Sequence, residues 1–156
     1  MEMLSDEIKS EIQCGIGACP TRRCAILEAL EIVQRRHGWV SDERLKAVAD
    51  FLSLTVEEVD GVATFYNRIY RKPVGRHVIL VCDSVSCWIM GFENILVHIT
   101  KRLGIEFGET TPDGRFTLLP IQCLGACEQA PAIMIDGTLH GDLTPDKIEE
   151  ILKGYE

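Results

Sequence analysis

His77-Val-Ile-Leu-Val81-Cys82-Asp-Ser-Val-Ser-Cys87 decides the fold of this chain. Its first residues form an unbroken apolar run, whereas a strand with one wet face would alternate, so this one is buried on both faces. Downstream, Phe92, Ile95, Leu96, Ile99 and Leu103 recur at helical spacing and Gly104 closes the helix. Phe116-Thr-Leu-Leu119 reads as a second strand, ended by Pro120, which cannot donate to a ladder. Strand, helix, strand implies a right-handed parallel crossover. Ala132-Ile-Met-Ile135 is a third strand, and Asp136-Gly137 is a preferred two-residue hairpin turn, so Thr138-Leu-His140 returns antiparallel beside it. Thr144 caps a last helix with Pro145 at its first position, striped by Ile148, Ile151, Leu152 and Tyr155.

Upstream the period changes. Thr21 caps a helix carrying Ile26, Leu30, Val33 and His37, and Gly38 ends it. Ser41 caps a second, with Leu45, Val48, Ala49 and Leu52 on one face. Thr55-Val-Glu-Glu58 is a capping box for a third, striped by Val59, Val62, Ala63 and Tyr66. The break Arg71-Lys-Pro-Val-Gly75 sets a boundary near residues 70–75. The expectation is an α/β chain with a helical N-terminal segment over 1–72, of which 1–20 is a flexible lead-in. Residues 73–156 form a second domain whose order, βαβ–ββα, is that of a small thioredoxin-like domain.

Two cysteine pairs carry the chemistry. Cys82-x4-Cys87 and Cys123-x3-Cys127 are separated by 35 residues, and each pair is expected in a loop after a strand. Four thiolates so spaced can encircle a small metal centre. Plant-type [2Fe–2S] sites also use a four-residue gap in their first pair. The small residues of Cys123-Leu-Gly-Ala-Cys127 let backbone N–H groups approach inorganic sulfide. Structural zinc is the rival, since its cysteine ligands also come in close pairs. Thioredoxin-type exchange needs Cys-x-x-Cys, and neither pair has it. An oxidised [2Fe–2S] centre with four thiolates carries about −2, offset mainly by hydrogen bonds to sulfur. With Asp83 and Glu128 adjoining two of the cysteines, the expected midpoint potential is low and negative.

Composition narrows the class. The 156 residues are 46% apolar and 26% charged with a formal net charge of −8, which argues against nucleic-acid binding. No apolar run approaches the length of a membrane span, and the acidic start resembles neither a signal nor a transit peptide. Seven cysteines cannot all pair internally, which favours metal or redox roles in a reducing compartment.

Val62-Ala-Thr-Phe-Tyr66, Pro73-Val-Gly-Arg-His77, Val81-Cys-Asp-Ser-Val-Ser-Cys87 and Gln122-Cys-Leu-Gly-Ala-Cys127, in that order, resemble the E subunit of bacterial NADH:quinone oxidoreductase. That family is the thioredoxin-like [2Fe–2S] subunit of complex I. The resemblance implies cluster ligation by Cys82, Cys87, Cys123 and Cys127. It implies one [2Fe–2S] cluster that exchanges single electrons with the FMN of a partner flavoprotein, which also holds NADH. It further implies other peripheral-arm partners and a cytoplasmic position, peripheral on the inner face of the cell membrane. The chain is then a redox subunit of NADH dehydrogenase (quinone) with no catalytic side chain of its own. Related modules in NAD-linked hydrogenases and formate dehydrogenases are the alternative parents.

Other features are weaker. Cys14, Cys19 and Cys24, in a glycine- and proline-bearing stretch, read as a loop without an inherited role. Gly15-x-Gly17 lacks the strand and third glycine of a dinucleotide site. His37, His77, His98 and His140 are scattered and read as structural or surface residues, with His98 on a helix flank. Arg68–Arg76 reads as a solvated basic linker, or else as a docking segment centred on Arg71 and Lys72. Trp39 and Trp88 are candidate interface anchors or packing residues.

Overall fold

A computed structural model describes residues 4–17 and 20–155. The chain divides into two compact units, Met1–Pro73 and Val74–Glu156.

The first unit is helical. Helices α1 (Asp6–Ile16), α2 (Ile26–His37), α3 (Asp42–Leu52) and α4 (Val56–Phe65) are joined by short loops and a 3-10 turn at Arg22–Ala25. The expectation of three helices thus falls one short. Ser5 caps α1 by accepting from the Ile8 N–H, and Leu4, Ile8 and Ile12 are buried. That i, i+4 pattern outweighs Gly15 and Gly17. A Cβ at Gly15 would meet only the Glu28 carboxyl group, the movable end of a flexible side chain. Of the expected flexible lead-in, residues 1–3, 18 and 19 lie outside the described residues.

The caps of α3 and α4 follow the sequence. Ser41 accepts from the Arg44 N–H, and Thr55 and Glu58 form the reciprocal capping box. Thr21 instead precedes the 3-10 turn and makes no side-chain cap bond. The core contains Leu30, Ile32, Leu45, Leu52 and Val59, while Tyr66 leaves the stripe and is exposed.

Residues 68–71 are pinned to this unit and do not form a solvated linker. Gln34 donates to the Arg68 carbonyl at 2.8 Å and accepts from the Tyr70 N–H at 2.6 Å. The Val40 N–H donates to the Tyr70 carbonyl at 2.8 Å. Arg71 donates to the Val40 carbonyl and pairs with Asp42 at 2.6 Å and Asp60 at 3.4 Å. Arg71 therefore holds the loop before α3 against α4, and reversing its charge would test folding before docking.

The second unit has strands β1 (His77–Cys82), β2 (Phe116–Ile121), β3 (Ile133–Ile135) and β4 (Thr138–His140), with helices α5 (Val85–Ile89), α6 (Phe92–Leu103) and α7 (Pro145–Lys153). Sheet order is β2-β1-β3-β4. β1 pairs parallel with β2, and β3 is antiparallel to both β1 and β4. Asp136 and Gly137 both have positive φ, the requirement of a tight hairpin matched to strand twist. The apolar side of the sheet packs Ile79, Val81, Leu118, Ile133 and Ile135 with Ile95 and Ile99 of α6 and Ile148 and Leu152 of α7. Clamps fasten the two helices: Glu149 on α7 receives His98 and Arg102 of α6, each at 3.0 Å.

β2 does not stop at Pro120. It runs to Ile121, with Pro120 opposite Val81. The reason is backbone parity. Ile121 accepts from the Asp83 N–H beyond β1, whereas Phe116 and Leu118 accept from Thr111 and Gly108 on the other side. Pro120 shares the parity of Phe116 and Leu118, so its missing N–H lies on the side facing away from β1.

Candidate metal centre

β1 carries Cys82 to its end, next to the point where β2 finishes, and both cysteine segments leave from there. The pairs are not wholly in loops. Cys82 is the last residue of a strand, Cys87 lies on the five-residue helix α5, and Cys127 opens a 3-10 turn at Cys127–Gln129. Only Cys123 is in irregular chain. Sequence reasoning missed α5 because one helical turn shows no apolar period.

Cys82 and Cys87 are buried, whereas Cys123 and Cys127 are exposed. Burial pushes the Cys87 thiol up to about 11, and its hydrogen bond with Cys82 and the charges of Cys82 and Cys127 act in the same direction. A hydrogen bond from the Ala132 backbone opposes them. The structure thus brings Cys82, Cys87 and Cys127 near one another. Cys123 stands at the open rim, where its Sγ accepts from the Gly125 N–H at 3.3 Å. Among the described residues, no three His, Cys, Asp or Glu side chains close to metal-holding distance.

The loop bearing Cys127 is fixed from behind. The Cys82 N–H donates to the Ala132 carbonyl, tying the cysteine strand to the start of β3. The Asp142 N–H donates to the Gln129 carbonyl at 2.6 Å, and the Leu143 N–H donates to the Pro131 carbonyl at 3.2 Å. Gly141 permits that approach: a Cβ there would lie 2.4 Å from Gln129 Cβ and 2.7 Å from its carbonyl oxygen. Gly141 was invisible to sequence reasoning, since its neighbour is twelve residues away.

The surroundings suit a negatively charged centre held by dipoles rather than cations. Neither 77–100 nor 116–146 contains a single Lys or Arg. The donors toward sulfur are backbone groups of Gly125 and Ala132. Four thiols, two buried and two at the rim, with backbone N–H donors between them, fit an iron–sulfur cluster by donor chemistry.

The other candidates lie elsewhere. Cys14 is on α1, and Cys24 in the first 3-10 turn donates to its own Thr21 carbonyl at 3.0 Å. Cys19 lies outside the described residues. His77 contacts Asp136, and His140 contacts the Tyr155 hydroxyl at 3.3 Å, while His37 is exposed. Trp39 is half-buried, with the Arg44 guanidinium 5.8 Å from its ring centre, and Trp88 is exposed.

Comparison with known proteins gives this arrangement its family. The profile of the thioredoxin-like [2Fe–2S] ferredoxins matches residues 12–156. The chain belongs to that family. Within it, the NADH-quinone oxidoreductase E subunit of Pseudomonas aeruginosa is 48% identical over 153 residues, covering 98% of this chain and 92% of the relative. The corresponding E subunit of Escherichia coli K12 is 52% identical over 134 residues, covering 86% of this chain and 81% of the relative. The likeness to E subunits expected from the sequence motifs is borne out. Among solved structures, an NAD+-reducing [NiFe]-hydrogenase in the H2-reduced state superposes with a TM-score of 0.70 at 25% identity over 83% of this chain. This ferredoxin-family chain spans 22% of the length of that hydrogenase chain.

Proposed function

We propose that this chain is the E subunit of an NADH-quinone oxidoreductase, and that Cys82, Cys87, Cys123 and Cys127 hold its one [2Fe–2S] cluster. The observation that carries the reading is the contact of Cys87 with Cys82 where β1 ends beside β2, with Cys127 near enough for its charge to act on Cys87, in a family of [2Fe–2S] ferredoxins. Bound there, such a cluster accepts and returns one electron at a time. The FMN and NADH sites belong to a partner flavoprotein. That complex, with further peripheral-arm subunits, holds the chain on the inner face of the cell membrane. Among the described residues no helix is long and apolar enough to cross a membrane.

The protein's own work is ligation and shielding, and no side chain acts as general acid or base. Cys82 and Cys87 would ligate from the buried side, and Ala126, Ala130 and Ala132 of the neighbouring segment are buried as well. The backbone donors of Gly125 and Ala132 favour negative sulfur, and the absence of Lys and Arg from 77–100 and 116–146 favours a low potential. An NAD-linked hydrogenase is the second reading, favoured by the superposition above, though the identity there is half that to the E subunits.

The test is the visible spectrum of anaerobically purified protein before and after dithionite, with iron and acid-labile sulfide analysis. Brown charge-transfer bands that bleach, and about two irons per chain, support the reading. Colourless protein containing zinc refutes it. A clearly positive midpoint in a redox titration refutes the electrostatic account.

A further inference from the structure

Lys147 stands where a cation is unwelcome. It is the third residue of α7, after Pro145 and Asp146, and the first turn of a helix favours negative charge. Its side chain turns back along the chain, and its ammonium donates to the Gly141 carbonyl at 2.6 Å. That carbonyl shares one peptide group with the Asp142 N–H, which donates to the Gln129 carbonyl at 2.6 Å. The Gln129 carbonyl in turn shares its peptide group with the Ala130 N–H, which donates to the Cys127 carbonyl at 3.3 Å. One ammonium, two peptide groups and the backbone of Cys127 thus form an unbroken row, in which each donor lies on the Lys147 side of its acceptor. The row is held in place by unusual backbone. Asp142 has a φ of 49°, uncommon outside glycine, and a Cβ at Gly141 would lie 2.4 Å from Gln129 Cβ. The 3-10 turn that Cys127 opens has internal bonds of 3.1 and 3.3 Å, so the 2.6 Å bond from Asp142 grips it more closely than its own do. With no Lys or Arg in 116–146, Lys147 is the first cation along the chain after that segment.

We propose that Lys147 is a positioning residue for the [2Fe–2S] cluster, acting through the 141–142 and 129–130 peptide groups to orient Cys127 and to raise the midpoint potential. The inference rests on the function proposed above, in which Cys127 is a ligand. Hydrogen bonds in a row polarise one another, so a full charge at its head strengthens every link. A positive charge also favours the reduced, more negative form of such a centre over the oxidised one. Lys147 therefore moderates the low potential expected of the site without reversing it.

The test uses the cluster-loaded full chain. Iron and acid-labile sulfide are counted first, followed by visible circular dichroism and a redox titration. Lys147→Met removes both charge and donor. At a fixed potential it is expected to shift the reduced-to-oxidised ratio toward the oxidised form by about threefold to tenfold, tenfold being about 59 mV for one electron. The dichroism should change with it, and Lys147→Arg, which keeps charge and donor, should restore both. Thr144→Ala weakens the same helix start, since Thr144 Oγ1 accepts from the Lys147 N–H at 3.2 Å, and it leaves the row intact. It is expected to lower the melting temperature with dichroism and potential unchanged. If the methionine variant loads no cluster, Lys147→Gln replaces it, keeping an amide donor without the charge, and the same fall in potential is expected. Wild-type potential and dichroism in the neutral variant overturn the proposal and leave the function standing, as does an arginine variant that behaves like the methionine one. Thr144→Ala reproducing both changes also overturns it, because Lys147 would then support only α7. Wild-type chain that holds no iron and sulfide overturns the proposed function and this inference with it.

Discussion

The two units use cysteine in opposite ways. In the first, Cys14 and Cys24 sit on exposed surfaces of a helix and a 3-10 turn, and the Cys24 sulfur bonds back to its own loop. In the second, Cys82 and Cys87 are buried where two strands end, and a strap at 141–143 braces the loop of Cys127. The intervals are nearly the same in both regions, four residues against four and three. Spacing alone therefore does not make a site. A site also needs its thiols brought side by side, as Cys82 and Cys87 are in the second unit.

The sharpest way to break that contrast is to delete cysteines from each side. Cys87→Ala or Cys82→Ala should reduce iron from about two per chain to near none. Cys14→Ala with Cys24→Ala should leave iron content and the visible spectrum unchanged. Equal losses from both sets would show that the first unit contributes ligands and would end the distinction.

The next test strains the bracing instead of the ligands. Gly141→Ala forces a methyl group into the Gln129 backbone, and overpacking of this kind costs about 1–3 kcal/mol. The melting temperature should fall, and the visible circular dichroism of the loaded protein should change because Cys127 is two residues from the contact. A lower melting temperature with unaltered dichroism would mean that the strap supports the fold and not the site.

Arg71 provides the matching test in the helical unit. Arg71→Ala removes a bond to the Val40 carbonyl and two ion pairs, of which that with Asp42 is with an almost fully exposed carboxylate and counts for little. The expected loss is about 1–2 kcal/mol, mostly from the backbone bond, with the visible spectrum unchanged. Denaturant midpoints and absorption of the same samples decide it.

What was legible in the chain follows the same division between local and long-range causes. The Thr55–Glu58 box, the Asp136-Gly137 turn, the buried strand at Val78–Val81 and the Thr144-Pro145 start are written within a few residues, and the structure has all four. The continuation of β2 through Pro120 depends on which side of the strand faces β1, which no local pattern encodes. Arg71 and Gly141 likewise take their meaning from partners eleven to thirty-one residues away. Helix α1 is different, since its Ser5 cap and Ile8–Ile12 pair were readable but were outweighed by the glycines beyond them. For the candidate centre, the two cysteine pairs were legible in the sequence as candidates. The one-turn helix under Cys87 and the strap behind Cys127 were not.

The smallest expected effect concerns acid stability of the second unit, at His140, which lies across β3 from Val81. His140 is held below the usual histidine range, first by burial and then by the Lys147 ammonium group. Asp136 and Tyr155 also face this corner, through His77 and the hydroxyl contact. A histidine with a depressed folded pKa is neutral in both states above its unfolded value of about 6.5, so it imposes no penalty there. As pH falls below that value the unfolded chain takes up the proton first, and stability declines until the folded form titrates as well. Urea midpoints should therefore drop between pH 7.5 and 5.5, and His140→Gln should flatten part of that slope while leaving the pH 7.5 value within about 0.5 kcal/mol. The visible spectrum should not change across this range. If absorption falls together with the midpoint in wild type and not in the variant, His140 is energetically linked to the cysteine site.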